Sequence, residues 1–529
     1  MLVEIKDIFD FKKLCTSIET YLDCYNIQLY YPFIILYKEM QDETHINQRM
    51  HFKPYYHIHS IKNKITNNIY NVDIIDETNN IDTIKVFIKS APILNPYKYI
   101  SNEYSNVSKP YLSCFNTKKT IDKVNSIGNA AYIDAFFSHL VSKLVINNVV
   151  PSFPIYYGTL SCISKDFKFD ITEEYTDMKY RSWYYNNLNK IFREIESENR
   201  ISNRLFSKNI KKNSVISYDS NIYIIDDSDS EYKNIDNSEL IECNLFNNEN
   251  ISDNEHDNKS DNKSESDNES DNEHDNEHDN EHDNEHDNKS ESDNESDNES
   301  DKYIGLYHFP VQLIILEKLG ITLTEFLEIN KDNSINEDEI LSILFQICFA
   351  LAILQKKFSF VHNDLHASNI MFKNTEDKYI YYSYNGNYYR IPTFNKIVKI
   401  IDFGRATFFY NGRYFISDVF SKDGDAEGQV VHPTLKEKAP KPNPSFDLAF
   451  LSTTIIEYFD EDTSIGKLLK KWTKDRYGNY LYKEENDFDL YVKISNNIRN
   501  VIPKYQLNNK LFKRFKINKN DIDSHIYKL

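Results

Sequence analysis

Between Ser252 and Asp301 the chain offers nothing from which a core could be built. The stretch is composed of Asp, Glu, Asn, Ser, His and Lys alone, set out as E-[HS]-D-N units such as "NEHDNEHDNEHDNEHDN" and "SESDNESDNESD". With no apolar surface to bury, such a segment cannot offset the entropy of ordering its backbone, so it is expected to be disordered. It carries 22 Asp and Glu against 3 Lys, a net −19 out of the whole chain's −20. The rest of the chain is therefore close to neutral. Its charge points neither to nucleic acid nor to an anionic membrane surface. The polar flanks "DDSDSEYKNIDNSE" and "NLFNNENIS" widen the zone, and 163–302 reads as one insertion splitting a single domain. A helical patch at "SWYYNNLNKIFREIESENRISNRLF" is expected inside it. The simplest role for the repeat is a solvated tether. The alternatives are metal capture by its His and Asp, phosphorylation of its serines, and docking of a protein partner.

Six cysteines (Cys15, Cys24, Cys114, Cys162, Cys243, Cys348) are scattered without metal-ligand spacing, which fits reduced thiols and a cytoplasmic location. The N-terminus "MLVEIKDIFDFKK" has acids where a secretory signal would be basic. The apolar run "LYYPFIILY" is too short to span a bilayer and contains a proline. No membrane association is expected.

Outside the insertion, strands come first and helices mostly later. "DTIKVFIKSAP" has the β-branched content and polar boundaries of a strand. In "NAAYIDAFFSHLVSKLVINN" the spacing of Ile133, Phe136, Phe137, Leu140 and Leu144 predicts a helix. "HFPVQLIILEKLG" reads as a buried strand ending in a charged turn. "NEDEILSILFQICFALAILQKKF" is a long helix, acidic at its start and basic at its end as the macrodipole favours, and apolar nearly all round. A short strand "NIMF", an Asn-Gly hairpin in "YYSYNGNYYRI", a strand "KIVKIIDFG" and a helix "SFDLAFLSTTIIEYF" follow. The class is α+β in two lobes.

Chemistry gathers at the ends of these buried strands. Lys89 closes "VFIK"; Asp364 and Asn369 stand five apart in "FVHNDLHASNIMF"; Asp402 follows "KIVKII". Phosphoryl transfer from a nucleotide calls for this set: a cation on the phosphates, two oxygen ligands for magnesium, and a carboxylate to take the proton of the attacking hydroxyl. Three turns that merely capped strands would have to mimic one site by accident.

In order and in context, "VFIK", "HNDLHASN" and "DFG" resemble the signature set of the protein kinase-like superfamily, over roughly 82–160 and 303–460. The chain as a whole is most similar to the serine/threonine kinases of giant DNA viruses, in its insertion habit, its hairpin before "IIDFGRA" and its AT-driven composition. The resemblance implies the bilobal kinase fold. Residues 1–81 would extend and begin the N-terminal lobe and 82–162 would form it. The insertion would fill 163–302, the hinge strand and hinge 303–320, and the C-terminal lobe 321–529. It implies that Lys89 holds the α- and β-phosphates of ATP, that Asp364 is the catalytic base, and that Asn369 and Asp402 bind Mg2+. Glu317, Lys318 and Leu319 would offer backbone groups to adenine, with Ile315 at the back wall. Asp447 would cap the catalytic loop from below, His362 would brace it, and Gly404 completes "DFG".

The pattern also departs from the family. Asn363 stands where an arginine usually precedes the base, so switching by loop phosphorylation is not expected. His366 replaces the lysine two places after the base. No glycine occurs before Gly128, so the phosphate lid must come from something like "HSIKNKITNN". Asp134 is the nearest candidate for the helix carboxylate, one methylene shorter than the usual glutamate, and no A-P-E triplet lies between Gly404 and Asp447. The reading that follows is an ATP- and magnesium-dependent kinase acting on Ser or Thr of a protein substrate. The alternatives are a pseudokinase that binds without turnover and a choline- or aminoglycoside-type small-molecule kinase.

Overall fold

The computed structural model of the chain describes residues 11–29, 55–76, 78–104, 118–172, 174–195, 302–331, 335–422, 424–430, 442–484 and 486–529. The acidic repeat at 252–301 and most of "LYYPFIILY" lie outside the described residues.

A seven-stranded antiparallel sheet forms one lobe. Its strands are β1 (Cys24–Leu29), β2 (His57–Thr66), β3 (Ile69–Ile75), β4 (Ile81–Pro92), β5 (Tyr156–Asp170), β6 (Phe192–Ile195) and β7 (Tyr303–Glu317). They lie in the order β1-β5-β7-β4-β3-β2, with β6 paired to β7. Central β7 is covered on both faces, which is why it reads as a nearly unbroken apolar run rather than an alternating one.

Among the described residues the helices of eight or more residues are α1 (Phe11–Leu22), α2 (Lys118–Asn125), α3 (Ala130–Ile146), α4 (Glu337–Phe358), α5 (Phe446–Ile455), α6 (Ser464–Trp472) and α7 (Asp487–Asn497). Helix α3 crosses below the sheet and is buried almost all round, Asp134 included. Helix α4 is the axis of the second, helical lobe. Short strands border that lobe: β8 (Ile370–Asn374) pairs with β11 (Lys396–Ile400), and β9 (Tyr379–Tyr384) with β10 (Asn387–Pro392). The β9–β10 turn has positive φ at both Asn385 and Gly386, as a two-residue hairpin requires. A further hairpin, β12 (Thr407–Tyr410) with β13 (Arg413–Ile416), packs Phe408 and Phe415 against Phe136 of α3. The lobes join at Glu317–Gly320, where the Gly320 N–H donates to the Phe372 carbonyl at 2.7 Å. This is the bilobal kinase-like α+β fold.

Two expectations need correcting. The sheet does not stop at 163: β5 runs to Asp170 and pairs residue for residue with β7 back to Tyr303. The helical patch expected at 182–206 is described only as far as Ile195, 196–206 lying outside the described residues. Its helix ends at Asn187, Asn189 takes a positive φ, and β6 then joins the edge of β7. Backbone pairing to an open sheet edge outweighs the local helical spacing.

Candidate active site

Strand β4 delivers Lys89 to the cleft, and its ammonium is shared. Nζ lies 2.7 Å from Asp134 Oδ2 on α3 and 2.8 Å from Asp402 Oδ1, just past β11. Asp134 is thus no solvated helix residue. Its shorter arm reaches because α3 sits close, and its Oδ1 also accepts the Phe403 N–H at 2.9 Å. The two carboxylates differ in kind. Burial drives Asp134 upward, and Asp402 adds to this against the pull of Lys89. Asp402 is 41 % exposed to the cleft; desolvation pushes its pKa up, but the charge and hydrogen bond of Lys89, helped by the Gly404 N–H, together hold it below the ordinary carboxylate range. Desolvation works against the Lys89 charge too, but its two acidic neighbours raise its pKa overall.

Asp402 has φ 64, a left-handed conformation that costs a non-glycine residue roughly 1–3 kcal/mol. What holds it there is on either side. The Ile401 N–H donates to the Asn369 carbonyl at 3.0 Å, and His362 Nε2 donates to the Ile401 carbonyl at 2.9 Å. Phe403 is fully buried among Phe137, Phe153, Phe360 and the His362 ring. Burial lowers the pKa of His362, which therefore braces the loop as a neutral ring. Gly404 follows with its N–H 3.5 Å from Asp402 Oδ1.

The loop that carries Asp364 hangs from Asp447 on α5. The Asp447 carboxylate accepts the His362 N–H (3.1 and 3.0 Å) and the Asn363 N–H (3.1 Å). Burial pushes this carboxyl up to about 7 against those donors. Asn363, also left-handed at φ 61, binds the carbonyls of Val361 and Arg405 and the Thr407 hydroxyl through Nδ2. A neutral amide thus ties the loop to the segment after Gly404. Asn369 Nδ2 donates to the Asp364 carbonyl at 2.9 Å and meets His366 Nε2 at 3.1 Å. An amide nitrogen only donates, so the imidazole accepts here, and the Asn369 side-chain oxygen is left for another partner.

At the hinge, Ile315 is buried and paired with Ile88. The Glu317 N–H is already given to the Ile155 carbonyl at 2.8 Å. Its carboxylate faces away from the hinge backbone, bound to Lys373 and to the Ile155 N–H, with Lys399 3.4 Å off. Lys318 is exposed, and the Leu319 N–H bonds to no protein group among the described residues. Of the three hinge residues, Glu317 therefore cannot offer its N–H.

The lid is a plain hairpin. Strands β2 and β3 turn at Asn67–Asn68, Asn68 has φ 65, and its carbonyl accepts the Ile88 N–H at 2.8 Å. The side chains from Lys62 to Asn68 are exposed.

Sequence reasoning does not reach five residues at this site. Asp418 accepts the Ala130 N–H at the start of α3 (3.2 Å) and pairs with Lys123 of α2 at 2.5 Å. The segment after β13 thereby holds the helix that carries Asp134. Gly128 permits this, since a Cβ there would stand 2.6 Å from the Ile416 carbonyl. Arg405 and Tyr491 flank Asp364, with Arg405 Nε 3.9 Å from Oδ2 and the Tyr491 hydroxyl 2.7 Å from Oδ1. Only Arg405, next to "DFG", carries a local signal.

A magnesium ion in a nucleotide site takes one or two protein oxygens plus phosphate. The Asn369 amide oxygen and the Asp402 carboxylate fit that donor set, and among the described residues no cluster of three or more His, Cys, Asp or Glu suits a softer metal. Nor is any helix among them long and apolar enough to cross a membrane.

Residues 302–421 match the protein tyrosine and serine/threonine kinase family. A Dictyostelium discoideum protein named as a serine/threonine-protein kinase is 41 % identical over 100 residues, which is 17 % of this chain and 8 % of that protein. The serine/threonine-protein kinase haspin of Mus musculus is 32 % identical over 102 residues, 18 % of this chain and 14 % of its own. A protein of Acanthamoeba polyphaga mimivirus, also named as a serine/threonine-protein kinase, is 30 % identical over 124 residues, 22 % of this chain and 24 % of that one. The chain thus spans at most about a quarter of the length of these relatives. With the fold, these matches make the chain similar to protein kinases over this segment, and to proteins named as serine/threonine kinases, a viral one among them.

Proposed function

We propose that the chain moves the γ-phosphate of ATP to a hydroxyl, that of Ser or Thr in a protein substrate. The observation that carries this is the shared Lys89, paired at once with buried Asp134 and cleft-facing Asp402. With both carboxylates ionised the trio has a net charge of −1, which favours a cation beside Asp402. Asn369, bonded through its carbonyl to the Ile401 N–H, stands next to that position.

In this reading Lys89 holds the α- and β-phosphates. Asp364 accepts the proton of the attacking hydroxyl as the new O–P bond forms and the bond to the β-phosphate oxygen breaks, releasing ADP. Asn369 and Asp402 hold Mg2+, which when bound offsets charge on the phosphate oxygens. The Leu319 N–H and the hinge carbonyls receive adenine. The kinase match and the relatives' names support protein hydroxyls over small alcohols, and the site of action is cytoplasmic. The acidic repeat, outside the described residues, serves as a tether or a protein-docking segment.

One assay tests the reading: labelled ATP and magnesium with generic protein substrates and, separately, small alcohols, beside Asp402→Asn. Transfer to protein that falls at least about 100-fold in the variant is expected. Transfer to alcohols alone would move the chain to the small-molecule kinases. A folded wild type that phosphorylates nothing would make it a binding scaffold.

A further inference from the structure

Asp364 is held in an unusual way for a group that must receive a proton. Its main-chain carbonyl accepts from Asn369 Nδ2, and its carboxylate Oδ1 accepts the Tyr491 hydroxyl at 2.7 Å. Oδ2 is less committed, with Arg405 Nε 3.9 Å away. Tyr491 lies on α7, far along the chain, and its ring packs at a tilt against Phe450 (centroids 4.6 Å apart) and Phe446 (5.6 Å) of α5. Helix α5 also carries Asp447, which holds the backbone of the same loop. One helix therefore fixes both the main chain before Asp364 and, through the phenol packed against it, the side chain of Asp364.

We infer that Tyr491 is a positioning residue for phosphoryl transfer: its hydroxyl fixes the Asp364 carboxylate so that Oδ2 faces the incoming hydroxyl. This deepens the kinase reading and rests on Asp364 being the base. Two observations favour positioning over obstruction. The Tyr491 residue is only 7 % exposed, so a phenol that merely occupied the acceptor's place could leave only by giving up a buried ring. And nothing within the loop performs the task. His366, two residues beyond Asp364, turns Nε2 to Asn369, and Asn363 spends its amide on Val361, Arg405 and Thr407. The ring alone would pack equally well as phenylalanine. The hydroxyl is what reaches Asp364.

Tyr491→Phe isolates that hydroxyl. Purified full-length wild type, Tyr491→Phe and Asp364→Asn are compared in steady-state transfer to a generic protein substrate that the wild type phosphorylates, with thermal midpoints measured in parallel. The expected result is a kcat about 10- to 100-fold lower in Tyr491→Phe, the size of losing one hydrogen bond to a charged group. KM for ATP should stay within about twofold and the melting temperature close to wild type. A kcat within twofold of wild type in Tyr491→Phe, with Asp364→Asn inactive, overturns the inference and leaves the base assignment standing. A kcat above wild type overturns it in favour of a blocking tyrosine. Transfer that survives in Asp364→Asn overturns the base assignment, and the inference with it.

Discussion

The two walls of the cleft are built differently. On the lower wall, Asp364, Asn369 and Asp402 sit on backbone anchored from several directions: Asp447 beneath, His362 across to Ile401, and Asn369 to the same Ile401. Two left-handed residues, Asn363 and Asp402, persist there because buried neighbours over-determine them. The upper wall, the β2–β3 hairpin, presents exposed side chains from Lys62 to Asn68 and fastens its turn to β4 by a single carbonyl at Asn68. In the proposed function, placement of the reacting groups is thus concentrated below. What stands above is a lid of ordinary hairpin chemistry, in a chain with no glycine before Gly128. If that contrast is functional, damage below should affect folding and turnover, and damage above should affect only nucleotide affinity.

The largest effect is expected from Asp447→Ala. It would strand the buried N–H groups of His362 and Asn363 without an acceptor, at about 1–3 kcal/mol each, so an unfolding free energy lower by roughly 3–5 kcal/mol is expected. Asp447→Asn keeps an acceptor oxygen, and because burial already disfavours the charge it should cost less than about 1 kcal/mol. Denaturant midpoints of the two variants decide the matter. Equal losses would mean that the charge, not the acceptor, supports the loop.

An intermediate effect lies at the hinge between the walls. Lys399 on β11 is 4 % exposed, donates to the Phe153 carbonyl at 2.7 Å, and faces Glu317 at 3.4 Å. Burial brings its pKa down to about 8, with Glu317 resisting and Lys373 adding to the fall. The unfolded chain holds this proton up to about 10.5, so between about pH 8 and 10.5 it binds more protons than the folded chain, and stability contributed here rises with pH. The wild type should therefore gain on the order of 2–3 kcal/mol relative to Lys399→Met between pH 7.5 and 10. Chemical denaturation of both proteins at the two pH values, read as a difference, cancels the other titrations. A flat difference would show that Glu317 compensates fully for burial.

How much of this the sequence discloses follows the range of the interactions. Lys89, Asp364, Asn369 and Asp402 are legible because each ends or interrupts an apolar run, and a charged or amide group in such a place invites a chemical reading. The Asn385–Gly386 turn and helix α4 are legible from turn chemistry and from end charges. Asp134 is only half legible: its position on the helix can be read, but its burial depends on how closely α3 meets β4. Tyr491 and Asp418 carry no local mark. One tyrosine among 39 gives no sign that it meets Asp364, 127 residues away. Residues 164–195 mislead for the opposite reason. Polar and tyrosine-rich, they look like loop or helix, yet the free edge of β7 draws Phe192–Ile195 into a strand.

The smallest effect is expected on the upper wall, and it is the most direct test of the contrast. Asn68 at φ 65 adopts a conformation that glycine takes at no steric cost, so Asn68→Gly should leave the hairpin in place and shift stability by less than about 1 kcal/mol. Glycine at Asn67 and Asn68 together would bring the lid nearer to the backbone-only approach to phosphate that its present side chains hinder. Initial rates over a range of ATP concentrations should show a KM lower by about two- to threefold, under 1 kcal/mol, with kcat unchanged. A kcat that moves tenfold in either direction would place the lid in the chemistry itself. The division between a wall that positions and a wall that only covers would then fail.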